Sequence, residues 1–268
     1  MSSSTEKDLP IDLPSDRLTP TEKAQKNIYC ISGLGADRRV FTKLIFKGYQ
    51  PVHLNWLTPN KRESLADYAK RIAADIEENP ILIGLSFGGI VATEIAKQIA
   101  TEKVILISSA KEQAEIPWYF KMFRWFPIHL LIPFKSLLWA VYWLINWFFG
   151  LETVEERKLL KAILIDTDAV FLKWAIDRVV RWQNQTVPDN IYHIQGTSDR
   201  VFPLRFVEAN VTVENGGHFM IMNRAERLSN VIDEVINRDE IHSQIANKTA
   251  EGGHPQAPPL KGGEGMTS

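Results

Sequence analysis

Between residues 27 and 242, short runs of apolar residues alternate with longer stretches in which apolar residues recur at helical spacing. One such helical stretch contains Leu65, Tyr68, Ala69 and Ile72. Continuously apolar strands that alternate with helices predict an α/β fold with a mostly parallel sheet of about six strands and helices on both faces. Runs short enough to predict buried strands occur at 28–31, 51–56, 81–83, 104–107, 191–194 and 211–213.

Polar residues mark where two of the helices begin. Ser64 is followed three positions later by Asp67, which is the spacing of a capping box. The apolar spacing predicts that this helix extends to Ile76. The closing helix is predicted to begin near Asn223, with Glu226 at the same capping spacing.

A serine between two glycines stands where the third strand meets the helix after it. The segment 84–88 reads Gly-Leu-Ser-Phe-Gly, and G-x-S-x-G in a strand-to-helix turn is typical of a nucleophilic serine. The turn is so sharp that side chains in place of Gly84 and Gly88 would clash. A glycine-rich turn before a helix can also bind phosphate, and the pattern alone leaves that alternative open.

Two further polar residues come directly after strands. Asp199 follows the fifth strand and His218 follows the sixth, and the carboxyl ends of parallel strands meet at one edge of a sheet. A serine needs a base, and the base needs an orienting acid, so we predict Ser86 as nucleophile, His218 as base and Asp199 as acid. Glu112 and Glu115 are the alternative acids, because the 19 residues from Asp199 to His218 leave no room for a full helix.

Backbone N–H groups near the serine are candidates for an oxyanion hole. The first strand ends on Ser-Gly-Leu-Gly at 32–35, and Gly33 and Gly35 allow a tight turn there. We expect the N–H groups of Leu34 and Phe87 to be the donors. The alternative is that this turn only begins the next helix.

These motifs resemble those of α/β-hydrolases, and in particular those of compact bacterial serine hydrolases. The resemblance covers about residues 27–110 and 190–238. It implies the α/β-hydrolase fold, the chain order Ser-Asp-His and acyl transfer through an acyl-enzyme. The matching stretches are ISGLGADRRVF at 31–41, WLTP at 56–59, ESLADYA at 63–69, GLSFGG at 84–89 and GGHFMI at 216–221.

An aromatic-rich segment at 111–188 interrupts the alternation of strands and helices. Between residues 117 and 150 lie 13 of the chain's 27 aromatic residues. The segment is predicted to be a helical cap (lid) on a core of 27–110 and 189–242, with Trp56, Trp139 and Trp143 as candidate pocket residues. Peripheral contact of the aromatic cap with a membrane is the alternative interpretation.

Composition excludes several other classes of protein. A net charge of −1 argues against a nucleic-acid partner, and the single cysteine, Cys30, excludes a disulfide framework. We predict no metal and no cofactor. The ends, 1–26 and 243–268, are predicted to be a disordered leader and tail, and the absence of a signal-peptide pattern predicts a cytoplasmic protein.

Together these features predict a serine hydrolase of carboxylic esters or thioesters with an apolar acyl or alcohol part. An acyltransferase or a lyase could use the same residues. A non-catalytic protein that binds a hydrophobic ligand or lipid is the alternative from a different class. The sequence does not predict the natural substrate or the oligomeric state.

Overall fold

The predicted apolar runs form the six strands of one sheet. The computed structural model describes residues 25–125 and 142–251. The strands are β1 (Lys26–Ile31), β2 (Tyr49–Leu54), β3 (Ile81–Leu85), β4 (Lys103–Ile107), β5 (Ile191–Gly196) and β6 (Val211–Val213). They pair in the order β2-β1-β3-β4-β5-β6, and every pair is parallel, which confirms the predicted fold class.

Helices cover both faces of the sheet. Alternate residues of each strand point to opposite faces, so a strand that is buried on both sides is apolar throughout. In the described ranges the helices are α1 (Leu65–Ile72), α2 (Phe87–Ala96), α3 (Trp118–Trp125), α4 (Tyr142–Phe149), α5 (Val154–Asp166), α6 (Ala169–Arg181), α7 (Met220–Asn223) and α8 (Ala225–Glu251). One face of the sheet packs against α1, α2 and α6, and the other packs against α5, α7 and α8.

The helix ends differ in part from the predicted ones. The Ser64 hydroxyl accepts from the Asp67 N–H at 3.0 Å, so α1 begins where it was predicted. It ends at Ile72, four residues before Ile76, because Ala73 leaves the helical conformation.

The closing helix is divided and longer than predicted. Arg224, with φ −127° and ψ 27°, separates the short α7 from α8. Helix α8 runs to Glu251, nine residues into the segment assigned to a tail, because neither glycine nor proline occurs before Gly252. At the other end Lys26 already belongs to β1, and residues 1–24 of the predicted leader lie outside the described residues.

The strand order places an open crevice at the carboxyl edge of the sheet. Since β2 lies on one side of β1 and β3 lies on the other, the chain leaves β1 and β3 in opposite directions. The connection from β5 to β6 contains only a 3₁₀ turn, Leu204–Phe206, as the short Asp199–His218 spacing predicts. Helices α3 to α6 lie between β4 and β5 in the chain. Within residues 25–125 and 142–251, no helix combines the length and apolarity needed to cross a bilayer.

Candidate active site

Ser86 lies in the turn between β3 and α2 with a left-handed backbone. Its φ of 52° and ψ of −119° are costly for a residue with a side chain and persist only where neighbours enforce them. The next strand does so: the Ser86 N–H donates to the Ile107 carbonyl at 2.9 Å, and the Ser109 hydroxyl donates to the Ser86 carbonyl at 2.6 Å. The Ser86 hydroxyl is thereby held at the positive end of α2.

The two predicted motif glycines of this turn are required by close backbone contacts. A Cβ atom on Gly84 would lie 2.5 Å from the Gly88 carbonyl oxygen. A Cβ atom on Gly88 would overlap the carbonyl oxygens of Ile31 and Ser32 at the end of β1. The turn therefore packs directly against the first strand, and larger residues would displace the serine.

Ser86, His218 and Asp199 form one hydrogen-bonded chain. His218 Nε2 lies 3.0 Å from Ser86 Oγ, and His218 Nδ1 lies 2.9 Å from Asp199 Oδ2. The histidine and the aspartate are buried, whereas Ser86 is partly exposed. A carboxylate only accepts hydrogen bonds, so Nδ1 carries the imidazole proton and Nε2 can accept from the serine hydroxyl.

Four donors fix the carboxylate of Asp199. The backbone N–H groups of Val201 and Phe202 donate to Oδ1 at 2.8 and 2.9 Å. Gln195 in β5 is fully buried, and its Nε2 donates to Oδ2 at 3.0 Å and to the Phe202 carbonyl at 2.7 Å. With His218 as the fourth donor, the carboxylate is held in a single orientation toward the imidazole.

The two alternative acids lie elsewhere. Glu115 is buried, and its carboxylate accepts from the N–H groups of Lys111 and Glu208 at 2.8 and 2.9 Å. Burial raises the pKa of Glu115, and its nearest imidazole is that of His193, at 3.8 Å. Glu112 precedes the 3₁₀ turn Gln113–Glu115. The described contacts of His218 include neither of these glutamates.

The loop that follows β1 is fixed by hydrogen bonds to its carbonyl groups. The Trp56 indole N–H lies 3.0 Å from the Ala36 carbonyl and 3.3 Å from the Gly33 carbonyl. The Ser32 hydroxyl donates to the same Ala36 carbonyl at 2.7 Å. These bonds set the position of Leu34 between them. The N–H of Phe87, in the first turn of α2, is a donor that the helix itself leaves free.

The junction of α5 and α6 also holds this loop. The Thr167 hydroxyl lies 2.8 Å from the Gly35 carbonyl. Gly35 has φ 69°, and a Cβ atom there would lie 2.6 Å from the Thr167 hydroxyl oxygen. Nearby, Arg39 pairs with Asp166 at 2.7 Å. Residues inserted between β4 and β5 thus support the loop that carries Leu34.

The end of α4 supports the histidine and aspartate loops. The Phe149 carbonyl accepts from the Phe219 N–H at 2.9 Å, and the Phe149 ring stands edge-on to His218 with centroids 5.1 Å apart. The Arg200 guanidinium, next to Asp199, stacks 4.4 Å from the Trp147 ring and donates to the Trp147 carbonyl at 2.6 Å.

The three predicted pocket tryptophans have different positions. Trp56 is partly buried and lies 5.4 Å from Phe87 and 5.0 Å from Phe171, measured between ring centroids. Trp143 points outward and is 71% exposed, which differs from the expected place in a pocket. Trp139 lies outside the described residues.

Gln195, Thr167 and Phe149 are contributors that the sequence interpretation missed. The signal for Gln195 was a polar residue directly after the apolar run 191–194, still within β5. Thr167 and Phe149 carry no such signal, since their roles depend on how the inserted segment packs. Within the described part of the chain, no group of three His, Cys, Asp or Glu side chains is arranged to hold a metal ion.

Comparisons with known proteins agree with this architecture. A model described as "Alpha/beta hydrolase family" matches residues 28–231. A comparison with curated protein sequences finds no significant match.

Many solved structures have a similar fold. An esterase from Thermogutta terrifontis is 14% identical, with a TM-score of 0.61 over 80% of this chain and 90% of its own. An esterase from Exiguobacterium antarcticum is 16% identical, with a TM-score of 0.60 over 78% and 91%. The enol-lactonase from Burkholderia xenovorans LB400 is 14% identical, with a TM-score of 0.62 over 81% and 94%. At these identities the similarity concerns the fold.

The family match spans most of the chain, from β1 into α8, and includes Ser86, Asp199 and His218. The sheet order and the strand-to-helix turn described above are consistent with it. On this evidence the chain belongs to the alpha/beta hydrolase family.

Proposed function

We propose that this protein is a serine hydrolase that cleaves carboxylic esters or thioesters with an apolar acyl or alcohol part. The observation that carries the proposal is the chain of hydrogen bonds from Ser86 Oγ through His218 to Asp199, at 3.0 and 2.9 Å. The named esterases and the lactonase with this fold act on ester bonds, and their similarity supports the same reaction class.

In the first half of the reaction Ser86 Oγ attacks the carbonyl carbon of the substrate. His218 Nε2 accepts the hydroxyl proton, and Asp199 holds the imidazole in the required tautomer and stabilises its positive charge. The carbonyl electron pair moves to oxygen, where the N–H groups of Leu34 and Phe87 are the proposed donors. Removal of one such donor typically costs ~3 kcal/mol of transition-state stabilisation.

In the second half the leaving group and then water use the same histidine. His218 gives its proton to the departing alkoxide or thiolate, which leaves an acyl group on Ser86. Water then loses a proton to Nε2 and attacks the acyl carbon, and the proton returns to Ser86 Oγ as the carboxylic acid departs.

The apolar part of the proposed substrate is supported by the surroundings of the histidine and the serine. The rings of Phe149 and Phe202 lie 5.1 and 6.0 Å from that of His218, measured between centroids. Phe87, directly after Ser86, packs within 6.3 Å of Trp56, Phe171 and Trp174. Such surroundings favour an acyl chain or ring over a charged group.

Turnover of p-nitrophenyl esters of increasing chain length tests the proposal. We expect Ser86→Ala to lower kcat by about a thousandfold or more, whereas Ser198→Ala, which changes an exposed serine next to Asp199, should retain it. Octanoate should be cleaved with a higher kcat/KM than acetate. Equal turnover by Ser86→Ala would contradict the proposed nucleophile, and a strong preference for acetate would contradict the apolar substrate.

A further inference from the structure

Exposed aromatic and basic side chains lie beside the candidate active site, on two helices and on the 200–206 segment that contacts both. Together we call them the aromatic–basic face. Trp143 and Trp147 are one helical turn apart in α4 and are 71% and 52% exposed, and Trp118 in α3 is 61% exposed. The face consists of Trp118, Lys121 and Met122 of α3, Trp143 and Trp147 of α4, and Arg200 and Arg205.

Helix α4 is the most unusual part of this face. Seven of its eight residues are aliphatic or aromatic, and none of the eight is buried. A helix that is apolar on all sides is expected to be buried in a core or in lipid. Exposed apolar surface of this extent indicates an interaction site.

Described contacts join α3 and α4 into one surface. The Tyr119 hydroxyl on α3 lies 3.3 Å from the Val201 carbonyl, and the Tyr119 ring packs against Phe206 with centroids 6.3 Å apart. On the other side, the Arg200 guanidinium stacks on Trp147 of α4. The 200–206 segment therefore bridges the two helices.

The charged residues of this face are all basic. Among the described residues no carboxylate pairs with Lys121, Arg200 or Arg205. Arg200 stacks on the Trp147 ring, and the Arg205 guanidinium lies 4.9 Å from the centroid of the Phe206 ring. Aromatic side chains beside cations that no described carboxylate neutralises match the interface of an anionic bilayer, where indole rings lie at headgroup depth.

A second copy of the chain is a poorer match for this face. A two-fold interface brings the same patch together from both subunits. Here the partner's copy of the face would offer these cations only other cations and aromatic rings, and no carboxylate.

We propose that the aromatic–basic face binds peripherally to an anionic lipid surface. Trp118 and Trp143 insert among the headgroups, and Lys121 and Arg205 contact lipid phosphates. The face borders the candidate site, since Arg200 follows Asp199 and α4 ends on Phe149 against His218. It follows, on the basis of the proposed function, that the ester substrate reaches Ser86 from the lipid surface.

Vesicle flotation of the full-length Ser86→Ala protein tests the binding without hydrolysis. We expect it to float with phosphatidylcholine vesicles that contain about one third phosphatidylglycerol and to bind neutral vesicles more weakly. Trp118→Gln with Trp143→Gln should reduce vesicle binding about tenfold or more, and Arg205→Gln about fivefold. Ile45→Gln, which changes a residue that is 64% exposed elsewhere, is the matched control and should bind like its parent.

No flotation with either vesicle type would overturn the proposal, and so would flotation of the double tryptophan variant equal to that of its parent. A protein that does not bind lipid but forms a dimer in solution, which Trp143→Gln dissociates, would also overturn it. Labelling of Ser86 by a fluorophosphonate is measured in parallel on the wild-type protein without vesicles. Labelling of the wild type without flotation would contradict only the proposed lipid binding. Flotation without labelling would contradict only the proposed hydrolase function.

Discussion

Ser86 keeps a strained backbone because three neighbours secure it. The Ile107 carbonyl and the Ser109 hydroxyl bind its main chain, and Gly88 lets the turn pack against the end of β1. Strain of this kind is maintained only when packing elsewhere determines the conformation. The result is a hydroxyl whose position relative to His218 is fixed before any substrate binds.

Exchange of the candidate acids is a test at the scale of single residues. Asp199→Asn keeps the shape of the side chain but can reverse the imidazole tautomer, so we expect kcat to fall by about 10⁴-fold. Glu115→Gln, the control, loses one of the two oxygens that accept from the N–H groups of Lys111 and Glu208 and should lower stability. Because the described contacts of His218 do not include Glu115, kcat of the folded variant should change less than about threefold. Rates of p-nitrophenyl ester hydrolysis decide between them. A kcat of Asp199→Asn equal to that of the wild type would show that another residue orients His218.

Residues of the candidate site differ in how far the sequence predicts them. Ser86, Asp199 and His218 follow strands directly, so the rule that parallel strand ends share an edge places them together. Gln195 is visible only as a polar residue directly after an apolar run, and its contact with Asp199 depends on the path of the chain after β5. Thr167 approaches Gly35 across 132 positions of sequence, and no local pattern records such a contact.

Helix α5 has a threonine at each end, and the two have different tasks. Thr153 begins the helix as a capping box with Glu156. Thr167 ends it, and its hydroxyl lies 2.8 Å from the Gly35 carbonyl in the loop that carries Leu34 and 2.7 Å from the Ile163 carbonyl of the helix itself. Variants at the two threonines therefore compare the loss of a helix cap alone with the loss of a hydroxyl that also reaches the loop.

We expect Thr167→Val to lower kcat about five- to tenfold with little change in KM, because a less fixed loop weakens oxyanion binding in the transition state. Thr153→Ala should lower the free energy of unfolding by about 1 kcal/mol through loss of the cap and leave kcat unchanged. Steady-state kinetics and urea unfolding of both variants provide the measurements. An equal loss of kcat in both would assign the effect to the helix as a whole.

The same elements show where prediction from sequence stops. The apolar runs predict all six strands, and Ser64 predicts the start of α1, because these signals are local. The division at Arg224 and the extension of α8 to Glu251 are not visible in the apolar spacing, which ends at Ile236. Trp143 is predicted in a pocket from its residue type, but the packing of α4 turns it outward.

At the scale of the whole molecule, His193 makes stability depend on pH. Its side chain is fully buried in β5, and burial lowers its pKa from the ordinary value of 6.5 to about 3. The unfolded chain binds the proton first as pH falls, so this contribution to stability is complete above pH 6.5 and is lost between that pH and about 3. Its charged neighbours are Lys111, which lowers the pKa of His193 further, Asp199, which raises it, and Glu115 at 3.8 Å, whose own pKa burial raises.

Urea unfolding of the wild type and His193→Leu at two pH values measures this contribution. Between about pH 7 and about pH 5 the wild type should lose about 2 kcal/mol more stability than the variant, because only the wild-type unfolded chain gains the histidine proton. The other titrating groups are common to both proteins. Parallel pH profiles would show that His193 is protonated while folded.

If folded Ser86 is an activated nucleophile, a fluorophosphonate will bind covalently to its hydroxyl oxygen. We expect intact-mass analysis to show one adduct per wild-type chain, located on Ser86 by peptide mapping, with none on Ser86→Ala and much slower labelling of His218→Ala. Circular dichroism of each variant verifies folding. Folded wild-type protein that stays unlabelled, or Ser86→Ala that is labelled at the same rate, would contradict the account.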